Sequence, residues 1–272
     1  MNVDGGEGDG WYQEDSHPLT PDAMSTKLLS YASNIRRGRR DHGNGKEKQN
    51  QKKNPGAATR SLLYSLRSES EALQQSLIEE EEHVVQSPPE AEVVERFRDA
   101  LSKAVVSAIR SAADDGSYGL IVKIVDDVVD YTEAVLSVYG TAILDTRVFG
   151  EAITGLTKSN ASQSKLKKMW SKFMNPSQKD ETTNGMVLSS PPGPYELNAM
   201  LTGLAERKRF RASLDLYHTS GVPGDAFTAS ILLEMLASSM SDRSATVKSL
   251  PQESWQWNEA VLLLKDLEAS IL

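Results

Sequence analysis

Residues 195–225 carry the sequence YELNAMLTGLAERKRFRASLDLYHTSGVPGD, which decides the fold prediction. Its first part places apolar side chains at helical spacing, and its second part repeats that spacing after a polar turn. The closing GVPGD, residues 221–225, is typical of a turn between helices. We therefore predict two amphipathic helices that fold back on each other as a hairpin.

Two other segments align with the first part of this hairpin. Residues 145–156 read DTRVFGEAITGL and residues 225–236 read DAFTASILLEML, with apolar residues at corresponding positions. The triplet Thr-Gly-Leu occurs identically at 154–156 and 202–204. Because no such unit can bury its apolar face alone, neighbouring units must stack. The repeat predicts an all-α fold, an α-solenoid of helix-turn-helix hairpins over residues 141–272.

Upstream of the repeats, residues 58–86 carry leucines at helical spacing and predict a single amphipathic helix. Residues 91–140 predict a degenerate helical hairpin around a polar turn. Within the repeats, the polar stretches 175–193 and 238–254 predict two loop insertions.

Residues 1–57 hold few apolar side chains and therefore predict disorder. Within them, residues 24–40 read MSTKLLSYASNIRRGRR, with hydroxyls, leucines and arginines but no acid. That composition is typical of mitochondrial and plastid transit peptides. Two other interpretations stay open: a basic nuclear-import patch at residues 36–40, and a plain solvated linker.

The chain has 272 residues and a formal net charge of −8. The charge is uneven, because residues 24–60 carry ten bases and two acids whereas residues 61–140 carry six bases and sixteen acids. Overall acidity weakens a nucleic-acid prediction, since phosphate contacts supply most of that affinity, but local surfaces matter more than the sum. Cysteine is absent, which excludes disulfides and thiolate metal sites. No apolar run approaches the roughly 18–20 residues of a membrane span.

Signals for catalysis are poor. The four histidines, His17, His42, His83 and His218, are scattered, and none stands with carboxylates at metal-ligand spacing. The glycine-rich start has no strand before it and does not predict a dinucleotide loop. We therefore expect no enzyme activity, no metal and no cofactor.

Residues 195–225 resemble a pentatricopeptide repeat. In that family the unit opens with a Tyr-Asn-x-Leu-Ile-like helix, continues through Ala-x-x-Leu-Tyr/Phe and closes on Gly-x-x-Pro-Asp. Here residues 197–201 (LNAML) fill the opening and residues 221–225 (GVPGD) a slightly altered close. The units are irregular, with 48 residues from Gly150 to Asn198 and 32 from Asn198 to Ser230.

The resemblance implies binding of single-stranded RNA, one base per unit, read by two or three side chains. Carried onto this chain, it implies that Asn198 and Asp225 contact one base and that Ser230 opens the next unit, whereas Gly150 offers no side chain. An N-cap role for Asn198 and a turn role for Asp225 stay open as alternatives. Seven basic side chains could meet phosphates, or simply be solvated helix faces: Arg207, Lys208, Arg209, Arg211, Lys165, Lys167 and Lys168.

We therefore expect an RNA-binding repeat protein of a mitochondrion or plastid, acting in RNA processing, stability or translation. The alternative is a protein-interaction scaffold, in which the same groove holds a peptide or a subunit of an organellar complex. A cytosolic or nuclear location stays open.

Overall fold

The computed structural model describes residues 18–43, 55–79, 89–174 and 188–241, together with the single positions Leu262 and Lys265. In these ranges the chain is all-helical apart from one isolated bridge, and no helix there is long and apolar enough to cross a membrane. The helices are α1 (Pro21–Gly43), α2 (Pro55–Glu79), α3 (Ala91–Asp114), α4 (Tyr118–Tyr139), α5 (Thr146–Lys158), α6 (Gln163–Met174), α7 (Pro194–Ala205), α8 (Phe210–Thr219) and α9 (Ala226–Ser241).

The odd-numbered helices pack in a row. Helix α1 contacts α3, α3 contacts α5, α5 contacts α7, and α7 contacts α9. The even-numbered helices pack beside them, so that α3 and α4, α5 and α6, and α7 and α8 each form a packed pair joined by a short turn. The odd-numbered row therefore brings side by side helices that lie far apart in the chain.

Helix α1 differs from the disorder predicted for residues 1–57. Met24, Leu28 and Ile35 on α1 are 0–1% exposed and belong to the main core, and α1 packs against both α2 and α3. The polar composition of residues 1–57 hides a narrow apolar stripe, which packing against α2 and α3 stabilises as a helix. Residues 1–17 and 44–54 lie outside the described residues.

Both predicted loop insertions fall partly outside the described residues, at 175–187 and 242–254. At the end of the first, Leu188 forms a bridge with Leu144, and the amide of Ser189 donates to the Leu144 carbonyl at 2.9 Å. At the start of the second, α9 continues to Ser241, beyond the residue where the loop was predicted to begin.

Helix α5 packs against α6 through a buried group of aromatic side chains. Phe149 is fully buried, and its ring stacks on Phe173 of α6 with a centroid distance of 4.3 Å. Trp170 lies tilted against the same ring at 5.5 Å. These aromatic contacts fix α6 against α5, because such pairs stabilise beyond the area that they bury.

The glycines of the repeated Thr-Gly-Leu triplets lie close to the preceding hairpin. A Cβ atom on Gly155 of α5 would lie 3.1 Å from Ile109 of α3 and 3.1 Å from Ile121 of α4. A Cβ atom on Gly203 of α7 would lie 2.5 Å from the hydroxyl of Thr157 on α5 and 3.3 Å from Leu166 on α6. Each glycine thus lies against both helices of the hairpin before it, which gives the sequence identity of the triplets a packing cause.

The Gly203 contact makes a stability prediction. Gly203→Ala should lower the free energy of unfolding by up to about 2 kcal/mol, because the overpacking cost of roughly 1–3 kcal/mol is partly offset by a helix-propensity gain of about 1 kcal/mol. Adding Thr157→Ala, which removes the clashing hydroxyl, should restore most of the loss. Urea unfolding of the full chain measures both effects.

Gly119→Ala is the matched control, because nothing lies within 4 Å of a Cβ atom at that helical position. It should leave stability unchanged or raise it. A Gly203→Ala variant as stable as the control would contradict close packing at the triplets.

Candidate functional site

Asp225 lies directly before α9 and caps that helix. Its Oδ1 atom accepts a hydrogen bond from the Thr228 amide at 2.7 Å, and its own amide donates to the Thr228 hydroxyl at 3.0 Å. This reciprocal arrangement satisfies two backbone donors at the start of the helix. Asp225 therefore lies in the turn before α9 and is the N-cap of that helix.

Asn198, the fifth residue of α7, contacts this cap. Its side-chain amide donates to Asp225 Oδ1 at 3.1 Å, and its Oδ1 atom lies 2.7 Å from the Thr228 hydroxyl, which can donate to it. The structure thus brings together the two residues that the resemblance pairs. However, Asn198 is 6% exposed, and both ends of its amide already have protein partners. Asn198 caps no helix, because Gly193 precedes α7.

The same contacts shift the pKa of the Asp225 carboxyl. Burial acts to raise this pKa, but hydrogen bonds from the Thr228 amide, from Asn198 and from the Thr228 hydroxyl outweigh it and lower the pKa below its usual value. Asp225 is therefore ionised at neutral pH, and its charge is held by donors of α7 and α9.

The remaining predicted residues lie apart from this cap in the fold. Ser230 is exposed on α9, and its hydroxyl donates to the Ala226 carbonyl. Arg207 donates to the carbonyls of Ala161 and Gly203 at 2.6–3.1 Å, so it links the turn before α6 to α7. Lys165 lies 3.4 Å from the centre of the Tyr118 ring. The other basic candidates are exposed on α6, on α8 or in the turn before α8: Lys167, Lys168, Lys208, Arg209 and Arg211.

A cluster of cationic side chains lines the face of the odd-numbered row, and it includes Arg36 and Arg39 of the basic segment 24–40. A cavity of about 620 Å³ opens across α1, α3, α5 and the start of α7, and a cavity of about 270 Å³ adjoins it. We call the two cavities together the odd-helix groove. Six cationic and four anionic side chains line it, a net charge of +2 in a chain of −8: Arg36, Arg39, Lys103, Arg110, Arg147 and Lys158, with Asp99, Asp114, Glu151 and Glu196.

Arg110 and Glu151 occupy the point where the two cavities meet. The guanidinium of Arg110 on α3 donates twice to the carboxylate of Glu151 on α5, with Nε at 2.9 Å from Oε2. The hydrogen bond to Glu151 raises the pKa of Arg110. Because the Glu151 side chain is only 13% exposed, this ion pair is partly shielded from water and holds α3 to α5 across the groove.

Tyr195 supplies an aromatic surface in the groove. A Cβ atom on Gly150 would overlap the Tyr195 ring, 2.8 Å from Cδ1, so the ring lies directly on the α5 backbone. The hydroxyl donates to Glu151 Oε1 at 3.3 Å, yet the residue stays 52% exposed. Burial raises the pKa of Tyr195, which keeps the phenol protonated at neutral pH. The position where Gly150 offers no side chain is thus covered by a tyrosine of the next hairpin.

The sequence did not predict that the residues of the odd-helix groove meet, because they come from four helices. The available signal was weak: Lys103 and Arg110 lie seven residues apart on α3, on the face away from its apolar stripe. Only the packing of the odd-numbered helices brings them to Arg147 and Tyr195.

Comparison with protein-family models, with curated proteins and with solved structures finds no match to the chain. Among the described residues, no group of three or more histidine, aspartate or glutamate side chains could hold a metal ion.

The cap makes a prediction about pH. Because the folded-state pKa of Asp225 lies below the unfolded value of about 3.9, its contribution to stability is present above that value and is lost as the pH falls through the folded pKa. Asn198→Ala removes one donor and should raise the Asp225 pKa. Carboxyl ¹³C NMR titration measures it directly.

Ser230→Ala is the matched control, because Ser230 is on α9 and its hydroxyl donates to the Ala226 carbonyl rather than to the cap. Its Asp225 pKa should equal that of the unmodified chain. An unchanged pKa in Asn198→Ala would mean that the Asn198–Asp225 contact is absent in solution.

Proposed function

We propose that this chain binds single-stranded RNA along the odd-helix groove, as an α-solenoid of helical hairpins. The observation that carries the proposal is the clustering of cationic side chains and one exposed tyrosine in one groove of an otherwise acidic chain. The repeated glycine contacts at Gly155 and Gly203 support the solenoid, because equivalent residues of successive hairpins make equivalent contacts.

Phosphate groups fit the cations of the groove. Arginine presents a planar fork of donors that matches phosphate oxygens, and each phosphate contact releases a counterion and so favours binding. Arg147 is 75% exposed at its side chain, and its nearest carboxylate, Asp145, lies 3.9 Å away. It can therefore turn to a phosphate at little cost.

A nucleobase fits the Tyr195 ring. Stacking of a base on an aromatic side chain contributes about 1–3 kcal/mol and accepts any base, since every base has a π-face. The ring is already fixed by the α5 backbone at Gly150 and by Glu151. Little side-chain entropy remains to be lost when a base stacks on it.

Base reading by Asn198 and Asp225 is a smaller part of the proposal. A base could reach the Asn198 amide only if the hydrogen bonds to Asp225 and Thr228 opened, and leaving such buried groups unpaired costs about 1–3 kcal/mol each. We therefore expect phosphate contacts and stacking to supply most of the affinity. The process that this binding serves, and its place in an organelle, stay predictions of the family resemblance.

Tyr195 gives the test. Tyr195→Ala in the full chain should weaken binding of a labelled oligouridylate by about 5- to 150-fold, the equivalent of about 1–3 kcal/mol of stacking. Tyr64→Ala is the matched control, because Tyr64 is 76% exposed on α2, outside the groove. Fluorescence anisotropy at low salt measures both variants.

Equal affinity of the two variants would contradict a stacking site at Tyr195. The alternative, a protein-interaction scaffold, has its own outcome in the same assay. If a labelled acidic peptide binds in a Tyr195-dependent way and the oligouridylate does not bind, the groove serves a protein partner and the RNA proposal is wrong.

A further inference from the structure

Helix α1 is fixed in the fold along its length. Four apolar side chains form one stripe against the core and are 0–3% exposed: Met24, Leu28, Ala32 and Ile35. At the start of the helix, Arg96 of α3 contacts Asp22 at 3.1 Å, and Lys27 lies 3.7 Å from Glu69 of α2. The polar face of α1 therefore has a defined direction.

Arg36 leaves α1 toward the odd-helix groove and is held there by α3. Its Nε atom donates to the Ser107 hydroxyl at 3.1 Å. The Ser107 hydroxyl in turn donates to the Lys103 carbonyl at 2.6 Å, so its proton is engaged and its lone pairs face Arg36. This chain of two hydrogen bonds fixes the guanidinium beside Lys103 at the groove wall.

The charge of Arg36 is not neutralised within the described part of the chain. Three neighbouring cations of the groove each contact a carboxylate: Arg39 with Asp114, Lys103 with Asp99 and Arg110 with Glu151. Arg36 contacts only a hydroxyl there and is exposed. An oriented guanidinium with no carboxylate partner has donors ready for an anionic oxygen.

We propose that α1 is the first helix of the RNA-binding groove and that Arg36 contacts the RNA phosphate backbone. The proposal rests on the proposed function and extends the bound strand beyond the hairpins that resemble the repeat family. It also gives residues 24–40 a role in the folded protein. Leu28 and Ile35 pack in the core, and Arg36 contacts the ligand. Loss of this helix would uncover the apolar side of α3 that it buries.

Arg36→Gln in the full chain, compared with Arg37→Gln, tests the proposal. Both residues are exposed on α1 and both substitutions remove one positive charge, but Arg37 does not line either cavity. Arg36→Gln should weaken oligouridylate binding about five- to tenfold at low salt and make the slope of log K against log salt shallower by about 0.7, the value of one single-strand phosphate contact. Arg37→Gln should leave the affinity and the slope near those of the unmodified chain.

Arg36→Lys separates binding from folding. It keeps the charge but loses the Nε–H group that donates to Ser107, so its slope should match the unmodified chain while its affinity falls only slightly. Thermal unfolding of all variants shows whether α1 stays packed. Affinity losses that follow unfolding rather than charge would overturn the proposal.

The remaining outcomes separate the two proposals. If the unmodified chain fails to bind oligouridylate, RNA binding itself is wrong and this inference falls with it. If the unmodified chain binds and the two glutamine variants bind equally, only the role of α1 and Arg36 is overturned.

Discussion

Gly155 and Gly203 each lie against both helices of the preceding hairpin, and the arrangement of the odd-numbered helices depends on this close approach. A Cβ atom at Gly155 would make its neighbours on α3 and α4 shift by a few tenths of an ångström, and one at Gly203 would overlap the Thr157 hydroxyl of α5. Successive odd-numbered helices contact each other side by side. Interiors packed at crystal-like density transmit such a displacement instead of absorbing it, so the constraint reaches the groove as well as the core.

The groove follows from that alignment. Arg110 of α3 reaches Glu151 of α5, and Tyr195 of α7 reaches the same carboxylate, so three successive odd-numbered helices share one polar cluster. Pairing of Arg110 uses its charge inside the protein, whereas Arg147 lies 3.9 Å from Asp145 and Arg36 contacts a hydroxyl in the described part of the chain. The acidic net charge of the chain and a cationic groove are compatible, because a polyanion responds to the local field.

Much of the helical fold could be predicted, because apolar spacing and turn residues are local signals. The composition of residues 1–57 did not predict helix α1, because its apolar stripe is stabilised by packing against other helices, α2 and α3. At the site, sequence placed Asn198 beside Asp225, which the structure also does, but it could not foresee that Thr228 would complete their hydrogen bonds. The grouping of the groove cations could not be predicted, because Arg36 and Arg147 are brought together only by tertiary packing.

Photocross-linking tests the groove most directly. A single-stranded RNA that carries photoreactive uridines is irradiated with the full chain, and the attached peptides are mapped by mass spectrometry. RNA binding in the odd-helix groove predicts cross-links on α1, α3, α5 and the start of α7, with Tyr195 among the modified residues. Cross-links confined to the exposed lysines Lys167 and Lys168 of α6, or to α2, would contradict it.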